Sequence, residues 1–84
     1  MRVISQDGTI DVPYEQVVIQ QYKEKIYFLN KNLTGVEQLV NDMEIASYST
    51  EEKAKKAIEM LHDEWNDYGQ VGLFQFPKDE DVEV

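Results

Sequence analysis

Eighty-four residues make one domain with a thin core, and 42% hydrophobic against 30% charged residues excludes a disordered chain. The absence of cysteine excludes disulfides, thiolate nucleophiles and Cys-ligated zinc. A formal charge of −9, from 17 acidic and 8 basic side chains, makes nucleic acid and anionic membranes poor partners and a basic protein surface a natural one.

The charge is uneven. Residues 1–42 hold four basic against six acidic side chains, and residues 43–84 hold four against eleven. No apolar run approaches a membrane span, and the opening residues lack the apolar segment of a signal peptide. With the missing cysteines, this leads us to expect a cytoplasmic protein that makes no membrane contact.

Arg2–Ser5 reads as a strand, and Thr9–Val12 as its return. Asp7-Gly8 between them is a hairpin signal, because a type I′ turn needs positive φ at both central residues. Pro13 removes a ladder donor and ends that strand or marks an edge. Gln16–Tyr22 is the next strand, rich in β-branched Val17, Val18 and Ile19, and Lys23-Glu24-Lys25 is a charged turn. Ile26–Asn30 is apolar on both faces, so it is central or covered on both sides.

In residues 31–43, Thr34 and Glu37 fit a capping box and Val36, Leu39 and Val40 share a face. A short helix over about 35–42 is favoured, with a loop as the alternative. Glu44–Tyr48 reads as a strand. Ser49-Thr50-Glu51-Glu52 fits a second capping box with Ser49 as N-cap. Ala54, Ala57, Ile58, Leu61, Trp65 and Tyr68 then recur at helical spacing, which predicts one long amphipathic helix over about 50–68. Gly69 ends it, and Gln70–Phe76 reads as a last strand. Residues 77–84 form an acidic tail with little to bury, expected to be flexible. The fold class is α+β: a small antiparallel sheet packed by one long helix, in a single domain over 1–76.

Catalytic signatures are missing, so no catalytic residue is assigned and an enzyme is not expected. His62 is the one histidine, and an acid–base role tuned by Asp63 or Glu59 is weighed against a surface histidine, which is favoured. No serine lies in a strained nucleophile elbow, and the four glycines are isolated, so phosphate-loop and dinucleotide fingerprints are absent. The acidic clusters lack the spacing of a calcium loop; no metal and no cofactor is expected.

Two binding surfaces remain. Arg2, Lys23 and Lys25, with Lys31 and beside Tyr27 and Phe28, could hold a phosphate and stack a base; strand-end lysines that keep edges apart are the favoured alternative. Glu51, Glu52, Glu59, Asp63 and Asp67 lie on the helix and could meet a basic protein. One helix covers only one face of a sheet, so leftover Tyr, Phe and Leu side chains point to a homo-oligomer.

The opening Val3-Ile4-Ser5-Gln6-Asp7-Gly8-Thr9-Ile10-Asp11-Val12-Pro13-Tyr14-Glu15, the junction Tyr48-Ser49-Thr50-Glu51-Glu52-Lys53-Ala54 and the closing Phe74-Gln75-Phe76-Pro77 resemble small accessory proteins of phages and prophages in Gram-positive bacteria. The resemblance spans most of the chain and carries no catalytic residue. It implies binding rather than catalysis. One implied class is the anti-defence sponge, an oligomer that sequesters a nucleotide immune signal such as a cyclic nucleotide or a cyclic ADP-ribose isomer. The other is a direct, DNA-mimic-like inhibitor of a host or defence protein. The expectation is the first, through Arg2, Lys23, Lys25, Tyr27 and Phe28, ahead of the second, through the helix carboxylates.

Overall fold

The computed structural model describes residues 1–30 and 43–84. The short helix expected over about 35–42, and Lys31, lie outside the described residues. The strands are β1 (Arg2–Ile4), β2 (Asp11–Pro13), β3 (Val17–Tyr22), β4 (Lys25–Asn30), β5 (Met43–Ser47) and β6 (Leu73–Gln75), with one helix, α1 (Glu51–Tyr68), between the last two. They form two three-stranded sheets, ordered β2-β1-β6 and β3-β4-β5. The second is antiparallel throughout; the first is mixed, because β1 pairs antiparallel with β2 and parallel with β6.

The α+β class is the one the patterning predicts. The strands divide into two sheets because the first and last lie side by side, Val3 opposite Phe74, a pairing that no local signal announces. Among the described residues, α1 packs against β3, β4 and β6 and so bridges both sheets. Its buried positions are Ala54, Ala57 and Leu61, and the small alanines let the strands approach closely. Val3, Ile26, Ile45, Phe74 and Phe76 complete the core, with the Phe74 and Phe76 rings edge to face at 5.1 Å.

β4 is central in its sheet, as its two apolar faces predict. Ile26 is fully buried, and Phe28 packs against the core on the same face. Tyr27 and Leu29 take the outer face, opposite Gln20 and Val18 of β3. Across the other edge Ile26 faces Ala46 while Tyr27 faces Glu44, which leaves Ile45 as the extra residue of a bulge. The bulge is what lets both Ile45 and Ala46 be buried.

Local details depart from the sequence reading. The first hairpin is not type I′, since Gly8 (φ 79) has positive φ and Asp7 does not. Instead the Gly8 N–H donates to the Ser5 carbonyl, and the Asp7 carboxylate accepts from the Ser5 and Thr9 hydroxyls and the Thr9 N–H. A side chain thus supplies what the backbone of a tight turn would. The first hydroxyl, as donor, comes first among the contacts that hold the Asp7 carboxyl at about 2. In the second hairpin the turn is Lys23-Glu24 alone, with Tyr22 opposite Lys25.

The helix cap moves by one residue. Thr50, not Ser49, is the N-cap: its hydroxyl accepts from the Lys53 N–H at 3.1 Å. Ser49 is held from elsewhere, its N–H donating to Asp79 Oδ1 at 2.6 Å. Gly69 closes the helix as expected, with φ 57 and its N–H donating to the Trp65 carbonyl. The chain then makes a 3-10 turn over Gly69–Val71, so the last strand is shorter than the expected Gln70–Phe76.

Residues 77–84 do more than the sequence reading allots them. Val82 is buried at 3% exposure, and the Tyr48 hydroxyl donates to the Pro77 carbonyl at 2.7 Å. Lys53 Nζ reaches both the Asp79 carbonyl, at 3.0 Å, and its carboxylate, at 3.3 Å. Burial, then the nearby Asp79 charge, pushes the Tyr48 phenol above its usual range.

The two sheets are stapled by one amide. Gln6 Nε2 donates to the carbonyls of Ser47, at 2.9 Å, and Pro77, at 3.2 Å, while Gln6 Oε1 accepts from the Ser47 N–H at 3.0 Å. Its backbone N–H adds a bond to the bulged Ile45 carbonyl.

Candidate functional site

A groove with a volume of about 440 Å³ lies between β3 and α1. Pro13 sets it up by ending β2 and turning the chain into a single 3-10 turn, Tyr14–Gln16, which delivers Tyr14 to the helix. There the Tyr14 ring meets Trp65, centroids 5.1 Å apart and planes at 45°. Ile58, Leu61, His62 and Trp65 line the helix side at i, i+3, i+4 and i+7, and Val17 and Ile19 line the strand side. The wall is therefore apolar and aromatic, with His62 exposed at the rim.

Tyr14, Glu15 and His62 are the titratable side chains among the lining residues. The Glu15 carboxylate accepts from the Met1 amino group at 2.7 and 3.0 Å, and that contact leads the causes that lower its pKa. Among the described residues no cluster of metal-ligating side chains occurs. The lining thus mixes apolar and aromatic side chains with the polar groups of Tyr14, Glu15 and His62.

The residues expected to hold a nucleotide are dispersed. Arg2 sits in the first sheet, its Nε donating to Asp11 at 2.8 Å. Lys25 and Tyr27 share the outer face of β4, where Lys25 pairs with Glu44 at 3.2 Å. That carboxylate, first by hydrogen bond and then by charge, raises the Lys25 pKa. Lys23 lies over the Tyr22 ring, 5.5 Å from its centroid. Phe28 is on the opposite face, packed against the core. None of the five lines the groove.

The helix carboxylates are better gathered. Glu52, Glu59, Asp63 and Asp67 are all exposed, and their spacing places them on one side of α1, away from Leu61. Lys55 and Lys56 sit among them, each one turn from Glu52 and from Glu59. Glu51 is also exposed but its spacing puts it off that side, and its backbone carbonyl accepts from Gln21 Nε2 at 3.2 Å.

The groove itself is not legible in the sequence. Trp65 reads as one more position of the apolar stripe, and nothing in Pro13-Tyr14 says that the tyrosine reaches a helix some fifty residues on. Compared with protein-family models, curated proteins and solved structures, the chain matches none.

Proposed function

We propose that this chain is a non-catalytic protein-binding module that presents the exposed carboxylates of α1 to a basic partner protein. The observation that carries the reading is the shared exposed face of Glu52, Glu59, Asp63 and Asp67, in a chain of net charge −9. A net negative field speeds encounter with a basic surface and selects against acidic ones. The resemblance to phage accessory proteins adds a source for the partner: a bacterial host or defence protein in the cytoplasm.

Sequestration of a nucleotide-like ligand has less support. It needs free cations, and Arg2 and Lys25 are each ion-paired with a carboxylate. Lys23 over the Tyr22 ring, and Lys25 and Tyr27 on one face, are what remains in its favour.

The test is capture from a Gram-positive lysate at low salt, beside a variant carrying Glu52→Gln, Glu59→Gln, Asp63→Asn and Asp67→Asn. The expected result is a basic protein retained by the native chain, lost by the variant, and released about tenfold between about 0.05 and 0.3 M salt. Equal retention by the variant overturns the reading. So does a nucleotide released in fixed ratio when the purified protein is denatured.

A further inference from the structure

A sheet edge is a row of backbone donors and acceptors waiting for a strand, and proteins block such edges with charge, proline, bulges or brevity. Among the described residues the two sheets have four edges, and three of them are blocked in those ways. β2 has three residues and ends in Pro13; β6 has three residues. The outer edge of β5 is met by Gln6, through both its backbone and its side chain.

β3 is different. It is six residues long, Val17-Val18-Ile19-Gln20-Gln21-Tyr22, with no lysine, acid or proline. Among the described residues, no strand pairs with its outer edge.

The register shows which groups point outward. The two-residue turn makes Tyr22 and Lys25 a hydrogen-bonded pair, so by alternation the pairs at Gln20 and Val18 are bonded to β4 as well. Val17, Ile19 and Gln21 then direct their N–H and C=O groups away from β4. The Val17 N–H confirms the parity, since it donates back to Tyr14. Ile19 and Gln21 keep outward donors without a backbone partner among the described residues.

We propose that two copies of the chain pair through β3, antiparallel about a dyad at Ile19. In that register Ile19 faces the partner's Ile19 and exchanges two hydrogen bonds with it. At each end a Gln21 N–H donates to a Val17 carbonyl of the other chain. Val18 and Gln20 exchange across the outer face as non-hydrogen-bonded neighbours. The contact is self-complementary, as an isologous interface must be.

Charge selects the second copy as occupant. A chain of −9 repels itself through almost any other surface, and β3 is a strip without a charged side chain. The dyad stands perpendicular to the sheet, so both helices lie on the same side. The two grooves then open toward each other, and Ile19 and Ile58 of each copy lose solvent to the other. The inference is independent of what the carboxylates of α1 bind.

Light scattering on the eluting full-length protein tests it. The expected mass is twice the 9.8 kDa of the chain at about 100 μM, with a dimer fraction that rises with salt as the −9 charges are screened. Capture of a basic partner moves the other way with salt, so the two readings fail separately. Ile19→Pro removes the outward donor without touching a bond to β4, and should weaken association about tenfold or more. The double variant Val18→Cys with Gln20→Cys, both exposed positions, should give a disulfide-linked dimer on oxidation, because the chain has no other cysteine and facing Cβ atoms lie about 4.5–5.5 Å apart. A monomer at every salt concentration overturns the proposal. So does a dimer that Ile19→Pro leaves unchanged and the double variant does not cross-link.

Discussion

Replacing Gln6 by alanine removes the amide that links the two sheets. Three side-chain hydrogen bonds are lost, at 2.9, 3.2 and 3.0 Å. At roughly 0.5–1.5 kcal/mol each, the sum lies near 1.5–4.5 kcal/mol. Gln6 is half-buried, so water can replace part of what is lost, and about 2–3 kcal/mol is expected. For a domain of this size that lowers Tm by about 10–20 °C. Urea unfolding at fixed protein concentration checks it: the midpoint should fall while the slope stays constant. Gln6→Glu refines the test, because a carboxylate can still accept from the Ser47 N–H but opposes the Ser47 and Pro77 carbonyls. Its folded pKa would be raised, so its stability contribution is present below the unfolded pKa and lost as pH rises through the folded one. That variant should therefore be most stable in mild acid. A loss under about 0.5 kcal/mol for Gln6→Ala would refute the idea that this amide joins the sheets.

The cap assignment predicts that Thr50→Ala costs about 1 kcal/mol, whereas Ser49→Ala stays within about 0.5 kcal/mol. Equal effects in urea titration would return the cap to Ser49. Acid should destabilise the fold through Asp7, held at about 2, and through Asp79, lowered first by the Ser49 N–H. Both bind protons more readily when unfolded, so their contribution is present above about pH 4 and is lost as pH falls, for Asp7 toward about 2. Asp7→Asn should flatten the stability profile between those values, and an unchanged slope counts against the turn network. Asp79→Ala should speed hydrogen exchange at the Ser49 amide, and unaltered protection would show that residues 77–84 do not hold that strand end.

The sequence announces those parts of the fold that depend on neighbours in the chain. The stripe from Ala54 to Tyr68 and the Gly69 stop define α1 nearly to the residue. The apolar faces of Ile26–Asn30 announce a central strand. What it does not announce depends on distant partners. Ser49 and Thr50 are equally good caps by type, and the choice falls to Asp79, thirty residues away. The acidic residues after Pro77 look like tail because their one apolar anchor, Val82, gives no periodicity. For the site, the spacing of Glu52, Glu59, Asp63 and Asp67 can be read directly. Arg2 and Lys25 cannot be read as ion-paired, because Asp11 and Glu44 come beside them only once the strands pair.

The parallel pair of β1 and β6 sets an order of events. Residues 2–4 find their neighbours at 73–75, so the first sheet cannot close until residue 75 has left the ribosome. The β3–β4 hairpin, closed by a two-residue turn, is a local structure that can form in about microseconds. During synthesis the second sheet can therefore form before β6 reaches the β1–β2 hairpin, and its long uncharged edge is open from the outset. Contact order of this kind slows folding, and it leaves a nascent chain meeting other copies while β3 is its most complete surface.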